Sequence, residues 1–248
     1  MKTFWTISGL VAAALAVSAV LVVAHDAFTD PASPEAQQAA QQAAQDLPWR
    51  IATQADGSSR VMGLALAEPG QGSTLADAHA RWGDKMTVAV IAASNEVGSL
   101  EAFVDPMQAG FIGGKLVITA QATPEQIDAF KRSTQDVSFM ESTTRQFKLS
   151  GDALQQALRA PILALGFIPQ ANLDEATVVA RFGEPAERVK VSEELTHLLY
   201  PSLGLDIALS TQGKELLQYV APAAFDSRLR APLMLSAGSP PASAPAQP

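Results

Sequence analysis

Asp174-Glu175-Ala176-Thr177-Val178-Val179-Ala180-Arg181-Phe182-Gly183-Glu184-Pro185 reads as a short helix written with its start and its stop. Asp174 is the expected cap, because its carboxylate can accept a backbone N–H of the first turn. Ala176, Val179 and Phe182 fall at helical spacing and form an apolar stripe. Gly183 supplies the conformational freedom a helix end favours, and Pro185 prevents continuation. One hundred residues earlier, Ala80-Arg81-Trp82-Gly83 matches Ala180-Arg181-Phe182-Gly183. In that copy Ser73 is the expected cap, Leu75, Ala78 and Trp82 make the stripe, and Gly83 is the stop.

Working outward, each helix is followed by runs of strand character. In the first copy these are Thr87 to Ala93, Leu100 to Val104 and Leu116 to Ala120; in the second, Val189 to Val191, Thr196 to Tyr200, Leu205 to Ser210 and Leu216 to Ala221. A glycine-lysine pair, Gly114-Lys115 and Gly213-Lys214, is expected to turn the chain into the last strand of each copy. Upstream, Arg60 to Leu66 around Gly63 and Ile162 to Ile168 around Gly166 add one strand-like element apiece. Two further helices are signalled. Thr123-Pro124-Glu125-Gln126 carries a capping threonine, a proline at the first helical position and a glutamine closing a capping box, for a helix to Arg132. The other begins near Ser150 or Asp152, passes Leu154 and Leu158, and ends before Pro161. Helices on antiparallel sheets make the expected fold class α+β, with two related helix-plus-antiparallel-sheet modules, 48–135 and 136–235.

The second copy, with Arg181-Phe182-Gly183-Glu184-Pro185, Leu199-Tyr200-Pro201, Gly204-Leu205-Asp206-Ile207 and Gly213-Lys214, resembles the small bacterial envelope module of the SmpA/OmlA kind (BamE-like). That family shares a helix-helix-sheet fold with beta-lactamase inhibitor protein. The resemblance implies a protein-binding or scaffolding module of the Gram-negative envelope, without catalysis. This chain departs from the family in having no cysteine to lipidate and in doubling the module, so a role in outer-membrane barrel assembly does not carry over. No binding residues transfer, because the family motif is a structural one.

The N-terminus points to the same compartment. Thr3 to Ala24 is 22 residues without a charge, against the roughly 20 that span a bilayer as helix and the roughly 7 to 15 of a cleaved signal core. Its ten Leu, Ile, Phe and Val residues favour insertion by roughly 3 to 6 kcal/mol. Lys2 precedes the span, and no Lys or Arg follows before Arg50, so the positive-inside rule keeps the N-terminus cytoplasmic and exports the body. Residues 1–24 are therefore expected to be a transmembrane anchor in the inner membrane, with a periplasmic body. The alternative is a long signal peptide cut after Ala24, which would release a secreted inhibitor-like binding protein. Residues 25–47 are expected to be a linker with an Ala/Gln helical stalk, and 236–248, rich in Ser, Pro and Ala, a disordered tail.

Composition narrows the function classes. Seventeen Lys and Arg against 25 Asp and Glu give a net charge of -8 without a basic cluster, which disfavours nucleic acid. The absence of cysteine excludes disulfides, thiolate metal sites and a cysteine nucleophile. Of the three histidines, His25 lies at the membrane edge, and neither His79 nor His197 has ligand spacing to another donor, so no metal is expected. No Gly-x-Ser-x-Gly elbow is present. Glu193-Glu194 reads as a solvated turn, and Gly110 to Gly114 as a hairpin turn instead of a phosphate cradle. Trp82, Phe182, Tyr200 and Tyr219 fit core packing better than a binding surface. No catalytic, cofactor-binding or metal residues are assigned, and the expected partners are the membrane, through residues 3–24, and another protein. An enzyme built from scattered Asp, Glu and Ser residues is the competing class.

Overall fold

The computed structural model describes residues 46–237 apart from 95 and 141–143. The expected membrane span, most of the stalk and the tail from residue 238 lie outside the described residues. Among those described, no helix is long and apolar enough to cross a membrane.

The fold is α+β. Three short strands, β1 (Ala52–Thr53), β2 (Ser59–Val61) and β3 (Leu64–Leu66), make a small antiparallel sheet. After α1 (Leu75–Trp82) come β4 (Met86–Ala92), β5 (Ser99–Ala109) and β6 (Ile112–Ala120), then α2 (Pro124–Ser133), β7 (Val137–Phe139), β8 (Arg145–Lys148) and α3 (Gly151–Ala157). The second half contributes β9 (Ile162–Pro169), α4 (Glu175–Phe182), β10 (Glu187–Lys190), β11 (Leu195–Tyr200), β12 (Leu205–Ser210) and β13 (Leu216–Tyr219). A wide π-type turn at Asp226–Arg230 leads into α5 (Ala231–Ala237).

Strands β4 to β13 form one ten-stranded sheet in the order β10-β11-β12-β13-β9-β6-β5-β4-β8-β7, antiparallel throughout. The two segments read as modules thus share a single ladder, joined where β9 lies between β6 and β13. At that junction Phe167 stands opposite both Leu116 and Leu217. All three are buried, and each contributes roughly 1.5 to 3 kcal/mol by leaving water. Their face of the sheet carries the main core, which Leu75 and Ala78 of α1, Ile127 and Phe130 of α2 and Val178 of α4 complete. On the opposite face, Phe225 and Leu229 pack over Leu199 and Val220.

Several local expectations need correction. The cap of α1 is Thr74 in a reciprocal box with Asp77, while Ser73 Oγ instead accepts the Ala65 N–H at 3.1 Å. The buried residue of α4 is Val178, with Phe182 beside it, and Ala176 is exposed, because the helix meets the sheet one residue further round than the stripe implied. Gly83 and Gly183 have the positive φ expected of a stop, but with extended ψ of -131° and -173°, a region essentially restricted to glycine. Gly114-Lys115 is not a turn. The β5–β6 hairpin extends to Gly110-Phe111, leaving Gly114 inside β6 opposite Met107, where a Cβ would stand 2.6 Å from the Phe167 ring. Gly213-Lys214 does lie between β12 and β13. Arg60 to Leu66 is two strands, turned at Met62 and Gly63 with φ of 49° and 79°. Strands β7 and β8 and the C-terminal helix were not expected. Ser236, placed in the tail, is helical and bonds the Pro232 carbonyl at 3.0 Å.

The end of the linker is also built into the body. Asp46 pairs with Arg81 of α1 at 2.8 Å, Leu47 is buried, and the Pro48 carbonyl accepts the Tyr219 hydroxyl at 3.1 Å. Trp49 lies under Arg181 of α4 with its ring 4.7 Å from the guanidinium. Arg81 and Arg181, matched in sequence, both hold this four-residue segment.

Candidate functional site

The residues weighed for chemistry in the sequence do not converge. His79 is half-buried on α1. Glu193 pairs with Lys190 across the β10–β11 turn at 2.8 Å, as a solvated loop does. Gly110 forms the tip of a hairpin with Phe111. Tyr200 and Tyr219 are in the core and Trp82 and Phe182 pack against it. Among the described residues no group of three or more His, Asp and Glu is placed to hold a metal ion.

One histidine has a partner that sequence reasoning missed. His197 Nδ1 lies 2.8 and 3.0 Å from the two carboxylate oxygens of Asp206, and both residues are buried. The pair forms because β11 and β12 are antiparallel neighbours: His197 stands opposite Ala208, and Asp206 lies two residues further along the same face. The near-equal distances fix the ring through Nδ1. This is the orienting half of a triad. Among the described residues no hydroxyl is bonded to Nε2, and the pair bridges two adjacent strands. A histidine and an aspartate nine residues apart on successive strands was the available signal.

A groove of about 430 Å³ opens between the start of α2 and the end of α3. Leu100, Phe130 and Ala157 form its floor, and Gln121, Gln126, Gln156 and Arg159 its rim. With no carboxylate or histidine in the lining, it lacks a group for general acid–base work at neutral pH.

The two edges of the large sheet are the most contrasted surfaces of the molecule. On β10, Arg188 pairs with Glu175 and Glu184 at 2.8 Å each, Lys190 with Glu193, and Glu187 with Arg230 of the π-type turn before α5. Hydrogen bonds to Glu184 and Glu175 raise the Arg188 guanidinium above its ordinary value. On β7, Val137 and Phe139 are 41% and 75% exposed, and the following Met140 is 43% exposed. Lys148 N–H donates to the Asp136 carbonyl at 3.0 Å and Met140 N–H to the Thr144 carbonyl at 2.9 Å. Alternation along an antiparallel pair then turns the backbone groups of Val137 and Phe139 away from β8. The Val137 N–H donates back to Gln135 at 3.1 Å. That leaves the Val137 carbonyl and both Phe139 backbone groups facing outward.

An edge of this kind is a template for strand addition, and proteins ordinarily blunt such edges with charge, as β10 does. Phe139 and Val137 lie on the same face as Phe147, opposite Val137 in β8, whose ring is buried against the core. Val137 and Phe139 thus extend the apolar face of Phe147 to the last strand, and both are exposed. No protein-family model, curated protein or solved structure matches this chain.

Proposed function

We propose that this protein is a membrane-tethered, non-catalytic binding module, held by residues 3–24 and presenting its body on the periplasmic side, where it engages another protein. The observation that carries the reading is the asymmetry of the sheet, one edge guarded by ion pairs and the other bare and apolar. Open edges recruit extended segments through main-chain hydrogen bonds, with alternate side chains supplying selectivity. A helix closed by glycine and followed by an antiparallel meander occurs in both halves. That recurrence supports two related modules, and with the SmpA/OmlA-like pattern of the second half it supports an envelope scaffolding role.

Site-specific photocrosslinking in intact cells tests the binding reading. A photoreactive residue at position 139 of the full-length chain is expected to give a discrete adduct in the membrane fraction, and one at position 188 none. Equal, diffuse labelling from both positions would remove the basis for an edge-binding function. Protease added to spheroplasts tests the tether separately: the body should be digested, and a body protected until the membrane is broken would overturn the periplasmic placement.

A further inference from the structure

We infer that the occupant of the β7 edge is an extended segment of another protein with apolar residues at alternate positions and acidic residues flanking them. The inference rests on the edge-binding reading above and adds the chemistry of the partner.

Backbone geometry fixes where that segment pairs. Within β7, Val137 and Phe139 are the residues that turn backbone groups outward, so a third strand forms its hydrogen bonds there. Its side chains directly opposite these residues then lie on the face of Val137, Phe139 and Phe147, next to the core. Those positions call for apolar side chains, and the intervening ones face the side of Ser138 and Gln146, which are polar.

The flanks are set by charge. Arg145 stands opposite Phe139, Lys148 follows Phe147 on β8, and Arg132 lies near the end of α2, five residues before Val137; all three are exposed and belong to none of the ion pairs among the described residues. Arg145 instead lies over the Phe147 ring at 5.4 Å. Asp136 is the single described carboxylate on the same stretch. In a chain of net charge -8, described cations outnumber the described carboxylate beside this edge. A second copy would bring two such sets together across a two-fold axis, and like charges oppose that pairing. Carboxylates on an incoming segment complement them.

The test uses purified full-length protein in nonionic detergent and a short labelled peptide in which valine and threonine alternate between pairs of glutamates. The control peptide replaces each glutamate with lysine. Fluorescence anisotropy should show the glutamate peptide binding about tenfold more tightly, with hydrogen exchange slowed at the Phe139 amide. Phe139→Pro removes the outward donor while leaving the β8 ladder, and should abolish binding. Arg145→Glu with Lys148→Glu, which alters no backbone group, should reverse the preference. Equal binding of both peptides with protection at Phe139 would overturn the acidic partner but leave the edge as a binding site. No binding of either peptide and an unprotected Phe139 would overturn both. Sedimentation showing a dimer whose Phe139 amide is protected without peptide would assign the edge to a second copy and likewise overturn the inference.

Discussion

At β10, Arg188 is held by two carboxylates and Arg230 reaches across from the π-type turn before α5 to Glu187, whereas at β7 Val137 and Phe139 meet solvent with no charged side chain on the strand. Both are terminal strands of one antiparallel sheet and offer the same kind of unpaired backbone. The difference teaches that the two ends are under opposite demands. One end carries charged, mutually paired side chains of the kind that ordinarily blunt a sheet edge. The other extends the core's apolar face into solvent, which gains free energy only when something covers it.

The comparison presupposes one continuous sheet, and the strongest way to break it is at the centre. Phe167→Ala in β9 removes a buried ring from between Leu116 and Leu217 and should cost about 3 to 5 kcal/mol. Urea denaturation should then show both ends melting together by circular dichroism and tryptophan fluorescence. Two separated transitions would mean that the halves fold as independent bodies.

A second perturbation falls on the guarded end alone. Asp206→Ala leaves the buried His197 ring without its partner and should cost about 1 to 3 kcal/mol. Deuterium exchange should rise in β11 and β12 while β7 and β8 stay unchanged; uniform loosening would argue that the ends are not separable. The guarding itself is testable by Arg188→Thr with Lys190→Thr, which strips the β10 edge of its cations. Light scattering should reveal concentration-dependent association absent from the parent chain, and a strictly monomeric variant would show that the ion pairs do not blunt this edge.

Acid titration separates the halves by sign. Asp174 caps α4, and the Thr177 hydroxyl and N–H lower its carboxyl below the ordinary value of 3.8. Its contribution is therefore present above that pH and fades as pH falls through the lowered value. Glu101 on β5 is shifted the other way, raised above 4.5 by burial, against a smaller lowering by the Ser99 hydroxyl. The folded state then binds the extra proton, so this term stabilises at low pH and is lost as pH rises from about 4.5 through the raised value. Glu101→Gln should flatten the stability profile just above pH 4.5, and Asp174→Asn should flatten it below 3.8. The smallest expected effect is that of Phe139→Thr, which should change stability by less than about 0.5 kcal/mol. A larger loss would mean that Phe139 is packed in the protein itself instead of waiting for a partner.

Much of the helix-and-meander grammar was legible because it is local. Thr123 and Gln126 form their capping box, Asp174 caps α4 through the Thr177 N–H at 2.7 Å, and the strands after each helix fall within a few residues of their expected places. Strands β7 and β8 escaped notice because Val137 to Phe139 is too short and too exposed to show an alternating pattern. The open edge is a property of strand order, so no reading of residues 137–139 in isolation marks it.

The sequence by itself determined the helix stops, the turns at Gly110 and Gly213, the alternation of the long strands and the exclusion of cysteine chemistry, since each depends on a residue and its near neighbours. Tertiary structure alone decided that both halves share a sheet, that β9 joins them, that His197 meets Asp206, and that β7 is left at the rim. Those facts depend on which strands pair across long stretches of chain, and pairing is selected by the burial of whole faces, a quantity that no local pattern carries.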